Sequence, residues 1–384
     1  MSAHVNSGGA VKNIGAIYLN NTSSAGTGKK VLFVYGNESG STKPVLLWKP
    51  KPKTPYVLDA KLSSSSSRSS LAAAADGNGS VYFAGGNSSA AVDRLSTAET
   101  VSAVAAMSHP RYSHAGAACG SYAMFAGGYG RYTSGGVTHN GAELYVEKYS
   151  TSGAKTSAAD LSQARSSLCG VSCPDGKAVF AGGAYTSNGV QRYASNVDVY
   201  SSNGSSHTTW TSLSAGRMSI GGASAADSAV YLGGGAAGSA SNRLDIYTAS
   251  GAHTYRSLSK LSGAAFAGYA GDGNIAFVNA TTSLNALLEI YSPVQQASTT
   301  QYVTGSKQGG AVCADGDGNV LCSGGSNNKT NVWAYTKTGA VAALTEHQVS
   351  RTLYCGVKGG NGSVYFAGGS PNGDKIECYP ASCQ

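Results

Sequence analysis

The chain has 384 residues and a formal net charge of +8, with only 12% charged residues against 41% hydrophobic ones. Gly is abundant at 53 residues, and Tyr (23) far outnumbers Phe (7). Few charged helix formers, many turn residues and many amphipathic rings argue against a helical protein and for strands with one wet face.

The first 53 residues open on "MSAHVNSGGAVKN". No apolar core of a secretory signal is present, and residue 2 is not the Gly that myristoylation requires. Apolar runs follow at 14–20 ("IGAIYLN"), 29–37 ("KKVLFVYGN") and 44–48 ("PVLLW"). They read as a small β element of its own, because they lack the spacing that organises the rest of the chain. The stretch "WKPKPK" at 48–53 is the densest basic cluster and reads as a stiff solvated linker, not a nucleic-acid tail. No run approaches the roughly 18 apolar residues of a membrane span.

From residue 54 onward the chain repeats itself. "GSVYFAGG" stands at 79–86 and again at 362–369, with relatives at 122–128, 177–183, 228–234 and 319–325. Aligned on Gly85, Gly127, Gly182, Gly233, Asn279, Gly324 and Gly368, the steps are 42, 55, 51, 46, 45 and 44 residues. Arg68, Arg111, Arg165, Arg217, Lys307 and Arg351 precede their glycine by 16 or 17 residues; only the unit with Asn279 lacks the basic residue. A period near 45–50 marks a propeller-type array.

Each unit predicts four strands. One follows the basic residue ("RYSHAGAAC"), and a Gly/Asp turn leads to the apolar second. The third closes on Tyr ("NVDVY", "RLDIY", "LLEIY", "NVWAY", "KIECY"), and the fourth is variable. The last unit stops at "YPASCQ" without a fourth strand, while "TPYVLDAKL" at 54–62 has that form with no strands of its own before it. Residues 54–62 are therefore expected to complete the blade of 351–384, giving seven blades and no exposed ring edges.

The paired glycines, the closing Tyr and the opening Arg resemble the kelch-repeat β-propeller. The Trp usual in the kelch fourth strand is matched closely only by Trp210. The expected architecture is all-β: a seven-bladed kelch-like propeller over 54–384, with a small N-terminal β anchor segment over 1–53.

Catalytic motifs are thin. No G-x-S-x-G, H-E-x-x-H or phosphate loop occurs. The two-His, two-Tyr set of the copper radical oxidases that share the kelch propeller cannot be assembled, and sialidase Asp boxes are lacking. Asp76, Asp175, Asp272 and Asp315 read as turn formers. His207 and His253 occupy one repeated turn position; His114, in a first strand near the expected axis, is the histidine to watch. The eight Cys form no C-x-x-C pair and read as free, buried thiols of a protein assembled in a reducing cytoplasm. No enzyme activity, cofactor or metal is expected.

Two surfaces are candidate binding sites. The basic residues Arg68, Arg111, Arg165, Arg217, Lys307 and Arg351 stand just before first strands, so they either ring one channel mouth and bind an anion or bond neighbouring carbonyls. The long insertions 128–143 and 183–196 lie on adjacent blades between second and third strands. They carry Tyr129, Arg131, Tyr132, Tyr185, Arg192 and Tyr193 in the Tyr/Ser/Gly/Asn composition of adaptable binding loops.

Residues His4 to Asn20 ("HVNSGGAVKNIGAIYLN") resemble short β segments of tail, fibre and appendage proteins of phages and prophages. That resemblance implies a non-enzymatic virion structural or appendage protein. It would be joined to other virion proteins in multiple copies through residues 1–50, with the propeller binding host-surface glycan. No nucleic-acid partner or membrane insertion is expected. An intracellular kelch scaffold and a carbohydrate-active or oxidase enzyme are the alternatives.

Overall fold

The computed structural model describes residues 54–384 apart from 64–67, 88, 135, 262, 280–284, 305–308, 326–329 and 382–384, together with five strands within the first 53 residues. The chain divides into two units, 1–53 and 54–384. In the first unit His4–Ser7 pairs with Ala10–Asn13, and Phe33–Glu38 lies between Ala16–Tyr18 and Ser41–Val45.

The second unit is all-β, with no helix among its described residues. Among the described residues it holds seven four-stranded antiparallel sheets. Their first strands are Ala72–Ala75, Ala115–Cys119, Cys169–Ser172, Gly221–Ser224, Ala265–Tyr269, Ala311–Ala314 and Cys355–Lys358, and we number sheets 1 to 7 in that order. Each first strand touches the next, and that of sheet 7 touches that of sheet 1. In sheets 1 to 6 the strands follow chain order outward. In sheet 7 the outermost strand is Tyr56–Val57, paired with Ile376–Tyr379 through Val57 opposite Glu377 and Tyr56 opposite Cys378. The Leu58 amide extends that pairing to the Ile376 carbonyl (2.9 Å) and the Leu62 amide to that of Asp374 (2.9 Å).

The second strands explain their own sequences. Val81–Ala84, Ala178–Ala181, Val230–Gly233, Val320–Ser323 and Val364–Ala367 are buried at every residue. Both faces of each are covered by neighbouring sheets, so the run is continuously apolar and does not alternate. The first strands of sheets 1 to 4 alternate instead and are rich in Ala, Gly, Ser and Cys. A Cβ at Gly116 would lie 2.4 Å from the Ala73 carbonyl oxygen, so backbones of adjacent sheets touch there and only Gly fits.

Turns between first and second strands link the sheets at one end. Amides of Gly120, Gly271, Gly316 and Gly360 donate to the carbonyls of Gly176, Gly318, Gly362 and Gly79 at 2.7–2.9 Å. Asp76 and Asp315 hold these turns by accepting amides two and four residues on, the turn-forming role expected of them.

The structure shifts one repeat marker. In sheet 4 the glycine with φ +72° that matches Gly85 (φ +61°) is Gly234, not Gly233, which ends a strand. Arg217 Nε donates to the Gly234 carbonyl as Arg68 Nε does to that of Gly85, each at 2.8 Å.

Candidate functional site

The opening arginines come first, because one of their two readings has them face an anion and the other has them bond neighbouring carbonyls. Arg68, Arg111, Arg165, Arg217 and Arg351 are at most 1% exposed. Each meets a carboxylate of its own sheet's third strand: Asp93, Glu147 (2.8 Å), Asp198, Asp245 (2.5 Å) and Glu377 (3.3 Å). Other donors go to main-chain carbonyls, such as Phe83 and Ala91 from Arg68 or Phe366 and Lys375 from Arg351, while Arg111 Nε donates to Met107 Sδ. An open ring of cations at the mouth is thus corrected to a set of internal cross-ties; Lys307 lies outside the described residues. Burial lowers the basicity of Arg68, Arg111 and Arg351, with the partner carboxylate opposing it. Burial likewise pushes Glu147, Asp198 and Asp245 up, but their arginines and hydrogen bonds win and hold them below the ordinary carboxylate range.

The carboxylates are what the sequence reading missed. Except in sheet 1, each stands two residues before the Tyr that closes a third strand, so the motif is acid-x-Tyr. Each also accepts the amide of a residue in the segment leading to a first strand: Ser63, Ser108, Ser162, Ser214, Ser259 and Gln348. Sheet 5 keeps its acid, Glu289, where the arginine is lacking. Sheet 6 has Trp333 at the acid's place.

With the arginines turned inward, the mouth belongs to the residues two positions on. Ser70, Ser113, Ser167, Ser219 and Leu353 all have positive φ, between 52° and 58°. That bend lets each amide reach the neighbouring sheet. Ser113 donates to Ser70, Ser167 to Ser113 and Ser219 to Ser167, at 2.8–3.0 Å. Ala265 donates to Ser219 (3.0 Å), Ser70 to Leu353 (2.7 Å) and Leu353 to Gly309 (2.5 Å). The amides and carbonyls of Ser70, Ser113, Ser167, Ser219 and Leu353 are consumed by this hoop, while the four serine hydroxyls make no hydrogen bond to a described residue.

These residues enclose a cavity of about 420 Å³ that all seven sheets line. One arc is hydroxylic, from Ser70, Ser113, Ser167 and Ser219. The other is apolar, from Ala264, Ala265, Phe266, Gly309, Gly310 and Leu353. Tyr354 also lines it, but its hydroxyl turns into sheet 6, 2.8 Å from Ser323 Oγ and 3.4 Å from His347 Nε2. The repeated Arg-x-Ser was the available signal for this arc.

His114 is on the wall, at the slot that Leu71, Leu168 and Ile220 fill in other sheets. It is 6% exposed, packs over Gly85 and Phe125, and neither ring nitrogen has a hydrogen bond of normal geometry. Burial, aided by Arg111 and Arg68, holds its pKa well below 6.5 against the Ala84 carbonyl, so the ring is neutral. His207 and His253 differ from it: each bonds the acid of its own sheet, Asp198 (2.6 Å) and Asp245 (2.7 Å).

The two insertions are hairpins, not loops. Tyr129–Ser134 pairs with Val137–Ala142, and Ala184–Ser187 with Val190–Tyr193. Both start where a second strand ends, at the same end of the sheets as the mouth. Each is tied to the rim: Tyr129 opposite Tyr112, and Ala184 bridged to Ser166. Tyr129 and Tyr185 line one pocket between the hairpins, Tyr193 is half-buried, and Arg131 and Arg192 are exposed. The Tyr132 side chain lies outside what is described. Burial pushes the thiols of Cys169, Cys313 and Cys355 up to about 12, so they are poor nucleophiles. Among the described residues no cluster of His, Cys, Asp or Glu could hold a metal.

No protein-family model and no curated protein matches the chain. Solved structures do. A streptogramin B lyase matches over 84% of this chain and 97% of its own, with a TM-score of 0.57 and 12% identity. A catalytically inactive histidine-to-alanine variant of the virginiamycin B lyase from Staphylococcus aureus, with quinupristin, matches over 85% and 98%, at 0.59 and 10%. YjhT matches over 82% and 94%, at 0.50 and 13%. This chain has the β-propeller fold. The likeness also overturns the expectation of a non-enzymatic phage appendage displaying a glycan-binding propeller: the matched propellers include lyases, which are enzymes.

Proposed function

We propose that residues 54–384 form a seven-bladed propeller, closed by the Tyr56–Val57 strand, that binds a compact, uncharged, amphipathic molecule at its axial mouth. One observation carries the reading. The inter-sheet hydrogen bonds use up the amides and carbonyls of Ser70, Ser113, Ser167, Ser219 and Leu353, leaving four hydroxyls with no described partner across one cavity from an apolar arc. Among the described residues no acid or arginine lines that cavity, so none of them offers a charged ligand a counter-ion there.

Leu353 supplies the blocking variant. It occupies the same positive-φ position as the serines, at φ +58°, so leucine is tolerated there by this backbone. Ser113→Leu with Ser219→Leu is expected to fold and to fill the mouth. Thermal-shift titration with neutral amphipathic probes should raise the Tm of the wild type and not of this variant. A shift of equal size in both would show that the mouth is not the site.

Elimination chemistry is a second reading, and His114 favours it. A lyase needs a base to take a proton, and His114 is a neutral imidazole on the cavity wall. Loss of quinupristin on incubation with wild type but not with His114→Leu, followed by chromatography, would support it.

A further inference from the structure

We propose that the tips of the two hairpins dock on an anionic lipid surface, holding the propeller at a membrane by peripheral contact without a spanning segment. This does not depend on the reading of the axial mouth.

The two insertions repeat one another. "YTSGGVTH" at 132–139 and "YTSNGVQR" at 185–192 share Tyr-Thr-Ser, a glycine, a valine and a closing basic residue. Their registers are also the same. Ser134 stands opposite Val137 and Tyr132 opposite His139 in one; Ser187 stands opposite Val190 and Tyr185 opposite Arg192 in the other. Gly136 and Gly189 turn the chain at φ +79° and +73°, and a Cβ on either would meet nothing within 4 Å, so both tips stand clear of the sheets. Among the described residues no other sheet carries a hairpin between its second and third strands.

Each tip is graded from apolar to polar. The first residue after the turn is a valine, 60% exposed at Val137 and 50% exposed at Val190. Two residues back on the same face come His139 and Arg192, both exposed. Two strand residues span about 6.6–6.8 Å, and the headgroup layer of a bilayer is about 5–7.5 Å deep. Val190 at the hydrocarbon boundary would thus set Arg192, and Tyr185 opposite it, among the headgroups, where tyrosine and cations are both favoured. Neither hairpin contains an acid, and Arg131 adds a second exposed guanidinium, so the surface that fits them is anionic. Two copies of one tip on adjacent sheets suit a continuous surface that meets both at once, the second contact being intramolecular.

Co-sedimentation of the full chain with vesicles of phosphatidylcholine mixed with phosphatidylglycerol tests this, beside vesicles of phosphatidylcholine alone. The chain should pellet with the anionic vesicles, less so at high salt, and more weakly with the neutral ones. Val137→Ser with Val190→Ser should weaken anionic binding roughly tenfold, and Arg131→Gln with Arg192→Gln about fivefold for each charge removed. These positions are exposed, so the Tm should stay where it is. Val190→Trp places a reporter at one tip: its added emission should shift to the blue on the vesicles and be quenched by lipids brominated in the acyl chain. Absence of binding, equal binding to both kinds of vesicle, or a Val190→Trp emission that the vesicles leave unmoved would overturn the proposal. So would equal binding by the wild type and the double serine variant, which would assign the contact to the lysine-rich first 53 residues instead.

Discussion

Sheets 4 and 5 solve one problem in two ways. Each buries a carboxylate completely in its third strand, Asp245 in one and Glu289 in the other. Asp245 has a cation: Arg217 at 2.5 Å, helped by the Ser214 amide and His253. Glu289 has none among the described residues. It accepts the amides of Ser259, Lys260 and Leu261 and the hydroxyls of Ser259 and Ser298. Burial pushes both acids up, yet both end below the ordinary range, one through a cation and the other through hydrogen bonds alone. The difference separates two roles. Holding the segment that enters a first strand belongs to the acid. Tying that acid to the paired-glycine turn belongs to the arginine, and sheet 5 omits it.

The largest effect should come from breaking the tie in sheet 4. Arg217→Met leaves Asp245 buried without its cation, which costs about 3–5 kcal/mol. Glu289→Gln in sheet 5 removes no ion pair and keeps one amide oxygen as acceptor, so it should cost only about 1–3 kcal/mol. Chemical denaturation of both variants checks the order. Equal losses would mean that Glu289 has a cation after all.

The acid–arginine pairing shows where sequence reading stopped. The second strand, its glycine turn and the four-strand unit were legible because each leaves a local pattern. The arginine was legible as a marker and was placed, in one of its two readings, at the mouth. What settles its direction is an acid up to 36 residues away, in a strand read only for its Tyr. Side-chain pairing across strands has no local spacing to betray it. The hoop of inter-sheet hydrogen bonds was invisible for a related reason: it is made by main-chain groups, which leave no mark in the side-chain pattern. The hairpins were visible as insertions, but that Tyr129 and Tyr185 share a pocket depends on how two insertions lean.

A smaller effect should separate the first-strand slots. Leu71, Leu168 and Ile220 fill theirs with hydrocarbon, whereas sheet 2 puts a neutral imidazole there. His114→Leu should stabilise the protein by about 1 kcal/mol near neutral pH, the lower end of the cost of a buried unsatisfied polar group. The sign of its pH dependence follows from the lowered pKa. The unfolded chain takes up a proton below about pH 6.5, while the folded chain does not until much lower pH. Wild-type stability should therefore fall as pH drops below that value, by at most about 1.4 kcal/mol per pH unit for this one proton. His114→Leu should remove that part of the slope. The limb below the ordinary carboxylate range should remain, since Glu147, Asp198, Asp245 and Glu289 contribute stability that is lost only when they protonate. Parallel slopes between pH 7 and 5 in the two proteins would show that His114 is charged or hydrogen-bonded when folded.

The smallest effect on stability, and the sharpest on recognition, should come from Leu353→Ser. Leu353 is 48% exposed although it stands at the position of the four serines. Its φ of +58° matches theirs, so serine inherits a conformation it already adopts at Ser70, Ser113, Ser167 and Ser219. The hoop is made by the amide and carbonyl of residue 353, and both survive the change. Half of the leucine surface was never removed from water, and its side chain packs on Gly309. The expected change in unfolding free energy is therefore within about 0.5 kcal/mol. The cavity, however, would gain a hydroxyl in its apolar arc. A ligand held by contrast between the two arcs should bind more weakly, by the few-fold to tenfold that one lost apolar contact is worth. Thermal-shift titration of Leu353→Ser against wild type with one neutral probe reads this directly. An unchanged midpoint with an unchanged titration would mean that the ligand sits on the serine arc alone.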